Sequence, residues 1–416
     1  MEKIILILCT PLFLFSQEKL ETTKSYNNQF QWNTNLLFES DALNKDFLNT
    51  MLYGGFITDS MKANWINLGD DNNVFYSEIS NGFSFKNTQY NFGVSAYDRN
   101  LINASFSDDL MKLGFYGNFN YQNETLDFSN TNIRIDRFQQ YKIDYIFNYN
   151  ATRITVGASF LAGNHHASFI VNNGSLFTDT NGIRLDVAYD MHAFVTDTSS
   201  LDPLDPLARN GNGLALDLST DFIIRNHKIN LYLHDVGFIM WNRKSTTLIT
   251  DSNFSFSGVV ITDIMSFNDS LLDENNSVDE LKTENKSVKT YIPANFGFSA
   301  MLSSTSEYFE TISVGVNVKW QPYYDNSPLS FSKIGQGIRE SNYAPLYWAS
   351  AVSKLKYFDA LPTLSYGGYS NNFNIGLALS KGKRNRFTIG TQHLEDLLAG
   401  DKAKSMSVYF NFLLQF

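Results

Sequence analysis

The chain ends in MSVYFNFLLQF, residues 406–416, and this strict alternation constrains its fold more than any other feature. Val408, Phe410, Phe412, Leu414 and Phe416 fall on one face of an extended strand, and Ser407, Tyr409, Asn411, Leu413 and Gln415 on the other. The pattern recurs. In 311–320, Ile312, Val314, Val316, Val318 and Trp320 oppose Thr311, Ser313, Gly315, Asn317 and Lys319. In 372–380, Phe373, Ile375, Leu377 and Leu379 oppose Asn374, Gly376, Ala378 and Ser380, and Leu214, Leu216 and Leu218 oppose Ala215, Asp217 and Ser219. The polar face carries Gly, Ser, Asn and Thr where a soluble sandwich would carry Lys and Glu. Small polar residues suit a crowded, watery lumen, and the apolar face then meets lipid.

Composition agrees. Aromatic residues make up 15% of 416, charged residues only 18%, and the mean hydropathy of −0.23 is too polar for a helical membrane protein. A transmembrane barrel hides its apolar residues in alternate positions. The expected fold is all-β: an antiparallel up-and-down transmembrane barrel of about 14 strands, with short helices as plug or rim pieces. The candidate strands are 75–86, 89–98, 137–150, 152–164, 182–195, 213–226, 228–241, 289–303, 310–321, 344–357, 361–369, 372–381, 385–393 and 404–416. Arg225–Lys228 and Lys381–Arg384 read as tight turns, and 242–288 and 322–343 as long loops on the opposite rim. Trp241, Trp320 and Trp348 fit either an interfacial aromatic belt or ordinary packing.

The N-terminus, MEKIILILCTPLFLFSQ, reads as a cleaved secretory signal: Lys3, then an apolar run broken by Pro11, then a small residue at Ser16. The expected organisation is a signal peptide at 1–16, an N-terminal plug or rim segment at 17–72, and the barrel at 73–416. Cys9 is the only cysteine, so disulfides, thiolate catalysis and Cys-ligated metal centres are excluded from the mature chain. The net charge of −10 without a basic cluster argues against nucleic acid as a partner.

Three segments do not read as wall. Residues 47–68 hold a short helix with Thr58 or Asp59 as cap and Met61, Trp65 and Leu68 on one face. Residues 105–115 hold a second. Residues 269–287, rich in acids, open a capping box at Ser277 and Glu280 and read as a solvated outer loop, since the acid spacing fits no calcium hand.

Few residues suggest chemistry. His165-His166-Ala167-Ser168 places His166 and Ser168 on one face, the start of a hydrolytic triad, but no acid to orient the histidine is evident. The expectation is therefore no enzyme, no catalytic, cofactor or metal residue, and no cofactor. Asp235 is anomalous: Ile229, Leu231 and Leu233 set a lipid face that it would share. A bulge near Gly237 would turn Asp235 inward and return Ile239 to the wall. Asp235 is then either part of a shape-determining bulge or a lumen carboxylate that binds something.

Several stretches together resemble an uncharacterised family of outer-membrane proteins from the Bacteroidota, known as a domain of unknown function. They are LYGGFITDSMK, DDLMKLGFYGNFNYQNETLDFS, YKIDYIFNY with ITVGASFLAG, NGNGLALDLSTDF, HDVGFIMWN and LSYGGYSNNFNIGLALS. The family is similar in architecture to long-chain fatty acid transporters, which are 14-stranded with an N-terminal plug. The resemblance implies location in the outer membrane and passage or binding of small amphipathic or hydrophobic molecules. The alternative is a non-transporting accessory barrel in a type IX secretion or gliding assembly, and a more remote one is a lipid hydrolase. The implied partners are outer-membrane lipid, a small amphipathic ligand or other outer-membrane proteins, and the barrel-assembly machinery acting on the strand that ends at Phe416.

Overall fold

The computed structural model describes residues 9–10, 13–14, 26–180, 184–196, 208–225, 227–256, 282–304, 306, 308–323 and 331–416. Most of the expected signal peptide, 1–16, lies outside them.

Fourteen antiparallel strands close into a ring. They are β1 (Asn28–Ser40), β2 (Asn73–Asn87), β3 (Phe92–Phe106), β4 (Asn132–Tyr149), β5 (Thr152–Thr178), β6 (Gly211–Ile224) and β7 (His227–Trp241). The second half holds β8 (Ala294–Ser303), β9 (Thr311–Trp320), β10 (Ala344–Lys354), β11 (Asp359–Gly368), β12 (Asn372–Lys381), β13 (Asn385–Thr391) and β14 (Ser405–Gln415). β14 closes the ring on β1, from Ser405 opposite Glu39 to Gln415 opposite Gln29, and β5 pairs directly with β6. Closure gives every strand of the ring a neighbour on both sides, as a strand-built membrane protein requires.

Burial is inverted relative to a soluble sheet. Ile79, Ile143, Leu214, Leu216 and Phe373 are more than half exposed on the outer face. Glu78, Asn132, Asn295, Asn317 and Lys319 are at most 1% exposed on the inner face. An apolar exterior around a polar interior is stable in hydrocarbon and not in water. No described helix is long and apolar enough to cross a membrane.

The alternation located most of the wall, with one exchange. Asn28–Ser40, inside the segment 17–72 expected to be plug or rim, is a wall strand. Its outward Phe30, Trp32, Leu36 and Phe38 are interrupted by Thr34 and masked by the run Leu36-Leu37-Phe38. Conversely 182–195 forms a strand, Leu185–Val195, outside the ring. It pairs with the upper half of the 27-residue β5, and the stretch Thr246–Phe256 pairs onto it in turn. Both strands alternate, but they belong to a sheet that rises beyond the barrel. The acidic segment 269–287 lies mostly outside the described residues. Its Lys282–Asn285 pairs with Thr246–Ile249 in that same sheet.

The short connections at 87–92, 149–152, 224–227, 354–359 and 381–385 share the end where Phe416 bonds Asn28. Arg225 (φ 57°) and Gly382 (φ 109°) carry two of these turns in left-handed geometry. The long connections lie at the other end, which carries α1 (Lys45–Tyr53), α2 (Asp59–Asn67) and α3 (Asp108–Tyr116). Asn44, Thr58 and Ser107 cap them by accepting the N–H of Phe47, Met61 and Leu110. Trp65, fully buried, packs against Phe47, Phe115 and Met111, with Phe75 and Phe106 beneath. Phe75 and Phe106 alternate with lumen-facing Tyr76 and Ser105, so these helices cover the outer side of the rim. They are rim pieces and do not plug the lumen.

The tryptophans are not a belt. Trp241 and Trp348 face inward, and Trp241 Nε1 donates to Thr290 Oγ1 at 2.8 Å. Trp320 is covered by α4 (Phe331–Glu340), to whose Lys333 carbonyl its Nε1 donates. The helix reaches it because residue 337 is glycine: a Cβ there would meet the indole at 2.2 Å. The exposed outer rings include Trp32, Tyr141, Tyr145, Tyr347 and Tyr366.

Candidate functional site

Midway along the lumen, side chains from opposite walls meet. Arg99, on β3, lies 3.1 Å from Asp235 of β7 and 3.7 Å from Glu78 of β2. Gln140, on β4, donates to Asp235 Oδ1 at 2.7 Å and to Ser159 Oγ at 3.0 Å. Tyr76 donates to Glu78 at 2.8 Å and stacks on Tyr369, with ring centroids 3.7 Å apart. Lys319 projects from the opposite side of the ring. Its Nζ lies 3.2 Å from the Tyr369 hydroxyl and within 5 Å of the ring centroids of Tyr76, Tyr343 and Tyr369. An ammonium taken out of water here exchanges hydration for three ring faces and the Tyr369 hydroxyl.

The segment between β9 and β10 completes the layer. Arg134 donates to the carbonyls of Gln321, Pro322 and Glu340, and Asn103 to that of Ser341. Lys319, Glu78 and Tyr76 are at most 1% exposed. Reaching across from β2 and β9, these side chains fill the lumen at this level, and among the described residues the layer is closed.

Below it, toward the end that holds the chain terminus, a cavity of about 320 Å³ opens. Gln29, Asn33, Lys86, Lys142 and Asp144 line its sides, and Glu78, Arg99 and Asp235 form its roof. Lys142 reaches Asp217 at 3.3 Å and Asp144 at 3.6 Å. The cavity is lined by charged groups of both signs and by apolar side chains such as Phe85, Val94 and Ile146, and it ends on the closed layer.

The bulge expected near Gly237 exists at His234–Asp235, where pairing slips opposite Asp217. Asp235 takes φ 59°, a region that Asp tolerates better than most residues, and its side chain turns inward. Asp217 Oδ1 accepts the freed Asp235 N–H at 2.7 Å. Ile239 is not returned to the wall. The extra residue shifts outward parity to Val236, Phe238 and Met240, and Ile239 is buried inside. Gly237 follows because a Cβ there would meet Ala215 at 2.4 Å.

An acid for His166 does exist. Asp136 Oδ1 lies 2.7 Å from His166 Nδ1, one strand away, a pairing that sequence spacing does not display. The ring stacks on Trp241, and its buried Nε2 makes no hydrogen bond to Ser168 or to any other described residue. The dyad therefore lacks an aligned nucleophile and braces the lumen above the closed layer. Arg99, Lys319, Tyr76 and Tyr369 were not singled out from the sequence. A charged residue inside an otherwise small-residue lumen face, as at Arg99 and Lys319, was the available signal.

Solved structures of similar architecture are barrels of low sequence identity. The toluene transporter TbuX of Ralstonia pickettii is 9% identical, with a TM-score of 0.40, over 94% of this chain and 90% of that one. A FadL homologue of Pseudomonas aeruginosa is 7% identical, with a TM-score of 0.41, over 93% and 89%. The TodX monoaromatic hydrocarbon channel is 8% identical, with a TM-score of 0.39, over 94% and 89%. No curated protein matches. The family model DUF5723, a family of unknown function, matches residues 22–392, and the chain belongs to that family.

Proposed function

We propose that this is an outer-membrane barrel that binds small amphipathic molecules and passes them through a gate formed by the Arg99–Lys319 layer. The observation that carries the reading is a cavity of mixed polar and apolar lining that ends on a layer whose centre is made of the side chains of Glu78, Arg99, Lys319, Tyr76 and Tyr369. Such a layer opens by rotamer changes and needs no domain to leave. A ligand's polar group would meet Lys142 and Arg99, and its apolar part the tyrosines around Lys319. Lumen groups of this kind set selectivity.

The accessory-barrel reading has its own support, since the layer is closed and the rim helices leave Tyr53 and Phe56 largely exposed for a partner. Liposome swelling separates the two. The gate reading expects wild-type protein to admit benzoate and exclude sucrose, and Y76A/Y369A to admit both. A folded wild type impermeant to benzoate, with a double variant that opens, would favour the accessory barrel. Fractionation tests location: the folded, heat-modifiable form should be recovered with outer membranes.

A further inference from the structure

The wall has a break. β12 and β13 pair only from Leu377–Thr391 to Lys381–Phe387, so residues 372–376 of β12 face no strand on that side. β14 meets β13 only over Tyr409–Leu414, leaving 405–408 paired with β1 alone. The turn at Gln392–His393 and the short helix α5 (Leu394–Ala399) fill the gap. Gln392 N–H donates to Ser407 Oγ at 2.7 Å. Glu395 Oε2 accepts the unpaired Ile375 N–H at 2.8 Å, standing in for the missing strand.

Three carboxylates converge on a buried imidazole in this gap. His393 is 1% exposed. Its Nε2 lies 3.1 Å from Glu39 Oε1, and its Nδ1 lies 3.8 Å from Glu395 Oε1. One ligand atom each from His393, Glu395 and Asp396 fall within 4.8 Å of one another. Neither ring nitrogen nor Glu395 Oε1 makes an aligned hydrogen bond, although all three atoms are buried. Each ring nitrogen faces a carboxylate oxygen without an aligned hydrogen bond, an arrangement that burial makes costly. Three carboxylates around one imidazole also leave the pocket negative even when the ring is protonated. A cation would satisfy both the lone pairs and the charge.

We propose that His393 Nδ1 and the carboxylates of Glu395 and Asp396 bind a divalent first-row transition ion of the zinc type. One nitrogen and two oxygens suit that class. Bonds of about 2.0–2.2 Å place neighbouring donors roughly 3.4 Å apart. The 3.8 Å between His393 and Glu395 thus needs only a small side-chain shift. Glu39 sits on the Nε2 side, as the orienting carboxylate of a metal-bound histidine does. Water completes the coordination. The ion ties α5 to the end of β13 and, through Glu395, to the unpaired edge of β12. It is a clamp across the break and does not depend on the lumen gate.

The test is zinc sulfate titration of the full barrel, folded in detergent and stripped with a chelator, read by calorimetry and by elemental analysis after gel filtration. One Zn²⁺ per barrel is expected. E395Q should bind at least 10-fold more weakly, H393A should lose stoichiometric binding, and H227N, in a turn at the other end, should match wild type. Zn²⁺ should raise the temperature of the heat-modifiable gel shift in wild type and not in E395Q. If H393A does not fold, E395Q decides, because its side-chain oxygen still accepts from Ile375. Absence of stoichiometric Zn²⁺, or equal affinity in wild type and E395Q, would overturn the proposal and leave the pocket to a protonated His393 alone.

Discussion

Arg99 is the most consequential single charge in the lumen. Its guanidinium sits between Asp235 at 3.1 Å and Glu78 at 3.7 Å, with all three groups at least nine-tenths buried. R99M removes the cation and leaves two carboxylates facing each other without water. Breaking a buried pair from one side costs about 3–5 kcal/mol, because the remaining charge is uncompensated. Here two charges remain, so the upper end of that range is expected. The triple variant R99M/E78Q/D235N removes the charges together and should recover most of the loss, since neutral replacement of a whole buried cluster is often nearly neutral. The assay is urea unfolding in phospholipid vesicles, followed by tryptophan fluorescence and by the gel shift. An R99M barrel within about 1 kcal/mol of wild type, or a triple variant as unstable as R99M, would refute the argument that the layer is held by mutual charge compensation.

Wall and lumen should respond oppositely to the same substitution. V316R puts a charge on the lipid face at a cost of about 2–4 kcal/mol near the midplane, and S84R, whose side chain enters the cavity, should cost less; equal losses would mean the register is wrong. Deleting Phe416, whose backbone exchanges two hydrogen bonds with Asn28, should sharply reduce assembled barrel at unchanged synthesis. Normal assembly of that variant would make the ending an ordinary packed strand. Burial holds the Asp41 carboxyl, at the rim end of β1, up at about 6. Its folded value exceeds its unfolded one, so the protonated form favours folding and that contribution is lost as pH rises from about 4 to 6. D41N keeps an acceptor for Val74 N–H and should flatten the stability profile over that window; an unchanged profile would remove Asp41 from the account.

The wall was legible because lipid imposes a rule at every second residue, and β9, β12 and β14 obey it without interruption. The rule is silent about which alternating strands join the ring. Leu185–Val195 alternates yet pairs above the barrel, while Asn28–Ser40 belongs to the wall although Thr34 breaks its apolar face. Pairing partners come from register and ring closure, which are long-range facts. The lumen was less legible for the same reason. Arg99 and Asp235 are 136 residues apart in sequence, and Lys319 meets Tyr76 only because the ring brings β9 opposite β2. The Asp136–His166 contact likewise exists only through the register of β4 on β5.

The departures from alternation are where the lumen is built. Alternation alone would point Asp235 at lipid, where a carboxylate costs free energy. The bulge turns it inward and gives Arg99 its nearer carboxylate, and Asp217 satisfies the backbone N–H that the bulge frees. The same inserted residue moves Ile239 and Trp241 to the inside, where Trp241 stacks on His166 and braces the Asp136 contact. A single extra residue in β7 thus supplies an anchor of the closed layer and a brace for the packed side chains above it. Deleting His234 would make the strand regular without changing its parity: Asp235 would follow outward-facing Leu233 directly and still point inward, and Val236, Phe238 and Met240 would still face lipid. Arg99 and His166 would then keep their neighbours, so a folded deletion variant should stay closed in planar bilayers. Raised conductance from that folded variant would show that the layer needs the left-handed backbone at Asp235 as well as its inward side chain.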